Sequence, residues 1–128
     1  LTGLPKLSAR VLLVDDEPFV ARAFKRYLGD HQVRIATSGN EALEMLKLER
    51  FDVILCDMAM PDMDGAMVYE AVSLAYPGLE RRIVFCSGGA HTPSTRAFIA
   101  KTRILMLEKP LTAAALRSAI ATALAVAI

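Results

Sequence analysis

Short apolar runs recur along this chain with helical stretches between them, and four of them end on a polar residue able to do phosphate chemistry. Arg10-Val11-Leu12-Leu13-Val14 runs into Asp15-Asp16, and Phe51-Asp52-Val53-Ile54-Leu55-Cys56 runs into Asp57. Arg82-Ile83-Val84-Phe85-Cys86 delivers Ser87, and Ile104-Leu105-Met106-Leu107 leads through Glu108 to Lys109-Pro110. Runs of this kind predict central strands of a parallel sheet buried on both faces. Strand and helix alternate five times, which puts helices on both sides of that sheet. In an open α/β sheet, residues just past the carboxyl ends of the strands share one crevice, where ligands bind. Asp15, Asp16, Asp57, Ser87 and Lys109 are therefore expected to meet there.

At 128 residues, 54% of them hydrophobic, the chain is long enough for one layered domain with a covered sheet. A formal net charge of +1 gives no field that would imply direct nucleic-acid binding. No apolar stretch approaches the roughly 20 residues needed to span a bilayer, so no membrane contact by this domain is expected. Cys56 and Cys86 each close a strand run and are not in a CxxC arrangement. They are read as buried, inert thiols, consistent with a reducing, cytoplasmic setting.

Residues 1–9 read as a linker, cut from something longer since the chain starts at Leu, and 10–128 as the domain. Glu17-Pro18 opens a helix whose apolar stripe is Phe19, Val20, Ala23, Phe24, Tyr27 and Leu28. Val33-Arg34-Ile35-Ala36 is a short second strand. The next helix carries Ala42, Leu43, Leu46 and Leu48, with Ser38 and Glu41 spaced as a capping box. Residues 58–65 form a loop, a third helix runs from about Ala66 to Ala75, and Thr92-Pro93 opens a fourth. Leu116, Ile120, Ala123 and Leu124 mark the apolar stripe of a final helix. His31 and His91 fall in expected loops with no second ligand at metal spacing, and are read as solvent-exposed. Lys25-Arg26 is read as a solvated face, and Met58, Met60, Met63 and Met67 as packing around the loop and third helix.

Crowded carboxylates need a cation. Two like charges about 4 Å apart repel by roughly 4 kcal/mol at an effective dielectric of about 20. Asp15, Asp16 and Asp57 must either raise one another's pKa or recruit a counter-ion, and Mg²⁺ suits hard oxygen ligands shared with water and phosphate. One carboxylate can then act as nucleophile toward phosphorus. Lys109 can neutralise a phosphoryl oxygen, and the Ser87 hydroxyl can donate to another.

The pattern Val14-Asp15-Asp16-Glu17-Pro18, Asp57 to Pro61-Asp62-Met63-Asp64-Gly65, Ser87-Gly88-Gly89 and Lys109-Pro110 resembles the receiver domain of two-component response regulators. The likeness runs from about Arg10 to the end. It implies a flavodoxin-like, doubly wound (βα)5 fold with strand order 2-1-3-4-5. It also implies that Asp57 takes a phosphoryl group from a histidine kinase or histidine phosphotransfer domain. Asp16 then matches the direct Mg²⁺ ligand, Asp15 its water-mediated partner, and the Ala59 backbone carbonyl a further ligand. Ser87 matches the switch hydroxyl and Lys109 the phosphoryl-binding lysine. One departure stands out: Met106 occupies a position where the family often has Tyr or Phe as a rotameric switch. Met fills space but swings no polar tip. A relay role, with the domain a monomer or weak dimer, is the expectation. Ser87-Gly88-Gly89-Ala90 and Leu107-Glu108-Lys109-Pro110 also resemble receivers of hybrid sensor histidine kinases.

Other classes fit less well. A phosphatase of the haloacid dehalogenase type needs a second Asp two residues after its nucleophile, where this chain has Ala59, so no enzymatic turnover is expected. A pseudo-receiver would lack Asp57, Asp16 or Lys109. A flavin module would want a phosphate-cradling loop where Asp15-Asp16-Glu17 would repel the phosphate.

Overall fold

A computed structural model describes residues 8–89 and 91–128. The linker expected over 1–9 lies outside the described residues except for its last two. Of these, Ala9 is buried and accepts a hydrogen bond from the Gln32 N–H at 2.9 Å.

Five parallel strands stand in the order β2-β1-β3-β4-β5. In chain order the elements are β1 (Arg10–Val14), α1 (Pro18–Tyr27), β2 (Gln32–Ala36), α2 (Gly39–Leu48), β3 (Val53–Asp57) and α3 (Gly65–Ala75). They continue with a 3-10 turn at Leu79–Arg82, then β4 (Ile83–Ser87), α4 (Pro93–Thr102), β5 (Leu105–Glu108) and α5 (Ala113–Leu124). The sequence did not signal the 3-10 turn, which Gly78 enters at φ +102, a conformation glycine adopts without strain.

Alternation along the strands divides the core in two. Val11, Leu13, Val53, Leu55 and Val84 pack with Phe24 of α1, with Leu28 just past its end, and with Leu116 and Ile120 of α5. Leu12, Val14, Ile54, Cys56 and Phe85 pack with Ala42, Leu46, Val68 and Val72 of α2 and α3. Both cysteines are free and buried. β3 and β4 are buried throughout, as the apolar runs predict. β5 is not a central strand as expected: it is the sheet's edge and is half-exposed. Phe19 and Leu48, counted on apolar stripes, are 82% and 84% exposed, and Met67 is exposed as well. No helix among the described residues is long and apolar enough to cross a membrane.

Local chemistry fixes the loops near the strand ends. Ser38 Oγ accepts from the Glu41 N–H at 3.0 Å, while Glu41 Oε1 reaches back to the Thr37 N–H at 2.7 Å, one residue before the cap. Asp64 caps α3 by accepting from the Met67 N–H, and Asp62 accepts from the Asn40 backbone N–H at 3.3 Å. The loop after β3 is thus tied at one end to α3 and at its middle to α2. His31 is not free in solvent either. It is half-buried, and its Nδ1 accepts from the Ala9 N–H at 3.0 Å, which pins the chain entering β1.

Gly65 sits where the sheet and that loop touch. A Cβ there would stand 2.8 Å from the Phe85 ring and 2.9 Å from Met58 Sδ. Gly65→Ala gains at most about 1 kcal/mol of helix propensity but overpacks the core by about 1–3 kcal/mol. Urea unfolding should show net destabilisation; an alanine variant more stable than the parent would contradict this packing.

Candidate functional site

Backbone pairing carries each strand one step beyond its last apolar residue, and that step delivers the reactive groups. Val14 stands opposite both Ala36 and Cys56, and Cys56 opposite Phe85. The Asp15 N–H donates to the Ala36 carbonyl, the Met58 N–H to the Cys86 carbonyl and the Lys109 N–H to the Ser87 carbonyl, at 3.0, 2.8 and 2.8 Å. Asp15, Asp57, Ser87 and Lys109 are therefore held at one end of the sheet by main-chain bonds.

Asp15 is 1% exposed and Asp57 6% exposed. Lys109 Nζ lies 3.3 Å from Asp15 Oδ2 and 3.5 Å from Asp57 Oδ2, bridging the two. Asp15 Oδ1 accepts from the Glu17 N–H at 2.9 Å, and Asp57 Oδ1 accepts from the Ala59 N–H at 3.4 Å. Asp16 joins the group at a more exposed position. Carboxylate oxygens of Asp15, Asp16, Glu17 and Asp57 all lie within 4.8 Å of one another.

Burial raises the Asp57 carboxyl above its ordinary value; Lys109 opposes this, Asp15 adds to it, the Ala59 N–H opposes it and Asp16 adds again. For Lys109, burial works to lower the ammonium. Asp57 and Asp15, the hydrogen bond to Asp15, and Glu17 outweigh it and hold the lysine above its usual value. One ammonium facing four carboxylates leaves the cluster short of positive charge. A close set of hard oxygen donors with that deficit fits a small divalent cation.

Beside this cluster opens a cavity of about 550 Å³, lined among others by Asp57, Ala59, Ser87, His91 and Lys109. Ser87 is 7% exposed, and its Oγ lies 3.4 Å from the Gly89 carbonyl oxygen and 3.4 Å from His91 Nδ1. Sequence reasoning brought Asp15, Asp16, Asp57, Ala59, Ser87 and Lys109 to one place, and the structure holds them together. It missed Glu17, read only as a helix start, and it misread His91, which is half-buried in the cavity wall. The spacing Asp15-x-Glu17 was the available signal for the first; nothing local marked the second. Met106 stands apart from the cavity. It is half-buried against the α2/α3 side of the core, where Tyr69, Phe85 and Phe98 form an aromatic cluster with ring centroids 5.2 to 6.4 Å apart.

A family model described as the response regulator receiver domain matches residues 11–121. The chain is 30% identical over 118 residues to the transcriptional regulatory protein GlrR of Escherichia coli K12, covering 91% of this chain and 26% of that protein. It is 34% identical over 107 residues to the sensor kinase CckA of Brucella abortus, covering 80% of this chain and 11% of that protein. Among solved structures, a CheY-like response regulator receiver domain protein from Methanospirillum hungatei superposes with a TM-score of 0.81 at 26% identity. That match covers 92% of this chain and 94% of that one.

The electrostatics make a stability prediction. Because the folded Asp57 carboxyl titrates above the ordinary value of 3.8, its ionisation penalises the folded state. The penalty is present in full above the folded value and disappears as pH falls through it toward 3.8. In metal-free buffer near pH 7, Asp57→Asn should therefore melt a few degrees above the parent, with the gain shrinking as the buffer is acidified. A variant that melts lower across the range would show that the Lys109 contact outweighs burial and repulsion.

Proposed function

Because this chain belongs to the response regulator receiver domain family, whose members are phosphoacceptor signalling domains, we propose that Asp57 is the residue that carries its phosphoryl group. One observation carries the assignment. Of the two buried carboxylates among the described residues, Asp57 is the one that lines the cavity together with Ser87 and Lys109. Asp15, whose oxygens meet the Glu17 N–H and Lys109, is not among the residues that line it.

The transfer balances as follows. An Asp57 carboxylate oxygen forms a bond to phosphorus as the N–P bond of a donor phosphohistidine breaks. The leaving imidazole nitrogen keeps the electron pair and is protonated from solvent. A bound Mg²⁺ would supply positive charge beside the phosphoryl oxygens. Asp15, Asp16, Asp57 and the Ala59 carbonyl are the groups proposed to hold it, and Glu17 adds a carboxylate at the rim. Lys109 neutralises one phosphoryl oxygen as a point charge, and Ser87 donates its hydroxyl to another. Two residues after Asp57, where a phosphatase of the haloacid dehalogenase type carries its second Asp, this chain has Ala59.

The donor needs a landing surface beside the cavity. An apolar groove of about 580 Å³ runs between α1 and the segment that joins β5 to α5, lined by Phe19, Val20, Phe24, Tyr27 and Leu111. It shares Gly88 and Lys109 with the phosphoryl cavity, so a partner seated in it borders that cavity. We assign it to the histidine-bearing domain of a histidine kinase or phosphotransfer protein. Phe19 is its exposed apolar contact, with the Arg22 guanidinium 5.0 Å from the ring centre.

Two measurements test this reading. Acetyl phosphate with Mg²⁺ should add one phosphoryl mass, labile to hydroxylamine, and Asp57→Asn should take up none; a full equivalent on that variant would falsify the assignment. Phe19→Ser should slow transfer from a phosphorylated histidine phosphotransfer domain by about tenfold, as loss of an aromatic interface anchor does. Acetyl phosphate, too small to reach Phe19, should modify that variant at the parent rate. Equal slowing with both donors would place Phe19 in the fold rather than in the docking surface.

A further inference from the structure

Ser87 has a single hydroxyl proton, and two neighbours lie at equal distance from its oxygen. The Gly89 carbonyl is 3.4 Å away and so is His91 Nδ1. A carbonyl can only accept, whereas an imidazole nitrogen can take either role according to tautomer. Both contacts can be hydrogen bonds at once in only one way: the hydroxyl donates to Gly89, and a proton on Nδ1 donates to Oγ. Ser87 is buried, where a polar atom without a partner is costly, and this arrangement satisfies it.

His91 is also placed to matter. It lines the same cavity as Asp57 and Lys109, and its carbonyl accepts from Arg96 Nη1 at 2.8 Å, which ties its loop to α4. Among the described residues it is the side chain that hydrogen-bonds the Ser87 hydroxyl.

We infer that His91 is a positioning residue for the phosphoryl group, its Nδ1–H holding and polarising the Ser87 hydroxyl that binds a phosphoryl oxygen. This rests on the phosphoacceptor reading of Asp57. When the phosphoryl group arrives, the hydroxyl proton turns from the neutral Gly89 carbonyl to an anionic oxygen, a stronger acceptor. The contact to His91 survives the turn, because it uses a lone pair of Oγ and not its proton. A hydrogen bond into the oxygen strengthens the one leaving it. The bond given up, at 3.4 Å, is longer than the usual O–H···O range, so little holds Ser87 back.

Beryllofluoride with Mg²⁺ mimics an aspartyl phosphate and can be titrated into the full chain. His91→Leu should weaken its binding by about three- to tenfold, the worth of one neutral hydrogen bond. His91→Asn, whose amide can place an N–H near the position of Nδ1, should recover most of the loss. A spectroscopic readout decides independently of whether either variant folds. In metal-free parent protein, imidazole nitrogen-15 shifts should show the proton on Nδ1, and Ser87→Ala should shift the population away from that tautomer. Parent-like affinity in His91→Leu, no recovery in His91→Asn, or a proton found on Nε2 alone would each overturn the inference. If the parent itself takes up no beryllofluoride, the phosphoacceptor reading falls first, so the two failures are distinct.

Discussion

Like charges crowded at one end of a sheet have to be held there by something other than electrostatics. Carboxylate oxygens of four residues lie within 4.8 Å of one another, with one lysine bridging two of them. At such separations a pair of carboxylates repels by kilocalories, even after generous screening. What opposes this is the burial of the strands behind them. Val11 to Val14 and Val53 to Leu55 are at most 1% exposed, and a fully buried aliphatic side chain is worth roughly 1.5–3 kcal/mol. Because the ladder runs in register to the last residue of β1 and β3, the acids cannot separate without unpairing apolar strands. The core thus stores unfavourable charge in a fixed geometry, and a small divalent cation is the kind of guest that would relieve it.

Lys109 does different work. It arrives from β5, which contributes little apolar burial, and its Nζ is kept by two anions rather than by packing. The buried carboxylate and its counter-charge are therefore positioned by different forces. Asp57 is fixed by hydrophobic burial and main-chain bonds, whereas Lys109 has its backbone bonded to the Ser87 carbonyl and its ammonium drawn in by the acids themselves. Screening or neutralising those acids weakens the hold on the lysine while leaving Asp57 where it was.

How much of this was legible follows from what a sequence pattern reports. A continuous apolar run reports covered faces directly, so β1, β3 and β4 and the residues beyond their ends could be placed. The run Ile104–Leu107 reads the same but belongs to an edge, since apolarity alone does not tell whether a second strand lies alongside. Phe19 and Leu48 fit helical spacing yet face solvent. Phe19 is in the first turn of α1, beyond the strand end that would have covered it, and Leu48 is the last residue of α2. Glu17 was obscured by a second plausible role at a helix start. His91 was obscured because its meaning depends on a 3.4 Å contact with Ser87, four positions earlier, that no local pattern encodes. The same holds for His31, whose partner is the main chain of Ala9, 22 positions away.

The half-exposed edge strand has a consequence for how the pocket opens. Parts of a protein unfold locally at very different free energies, and segments with little buried apolar contact open first. Here Asp15 and Asp57 hang from the most protected strands of the sheet, and Lys109 from the least. Fraying of β5 alone would withdraw the ammonium and leave Asp57 in place. The position of the pocket's ammonium is therefore tied to the local stability of a four-residue edge strand, and that of its buried acids to the stability of the core.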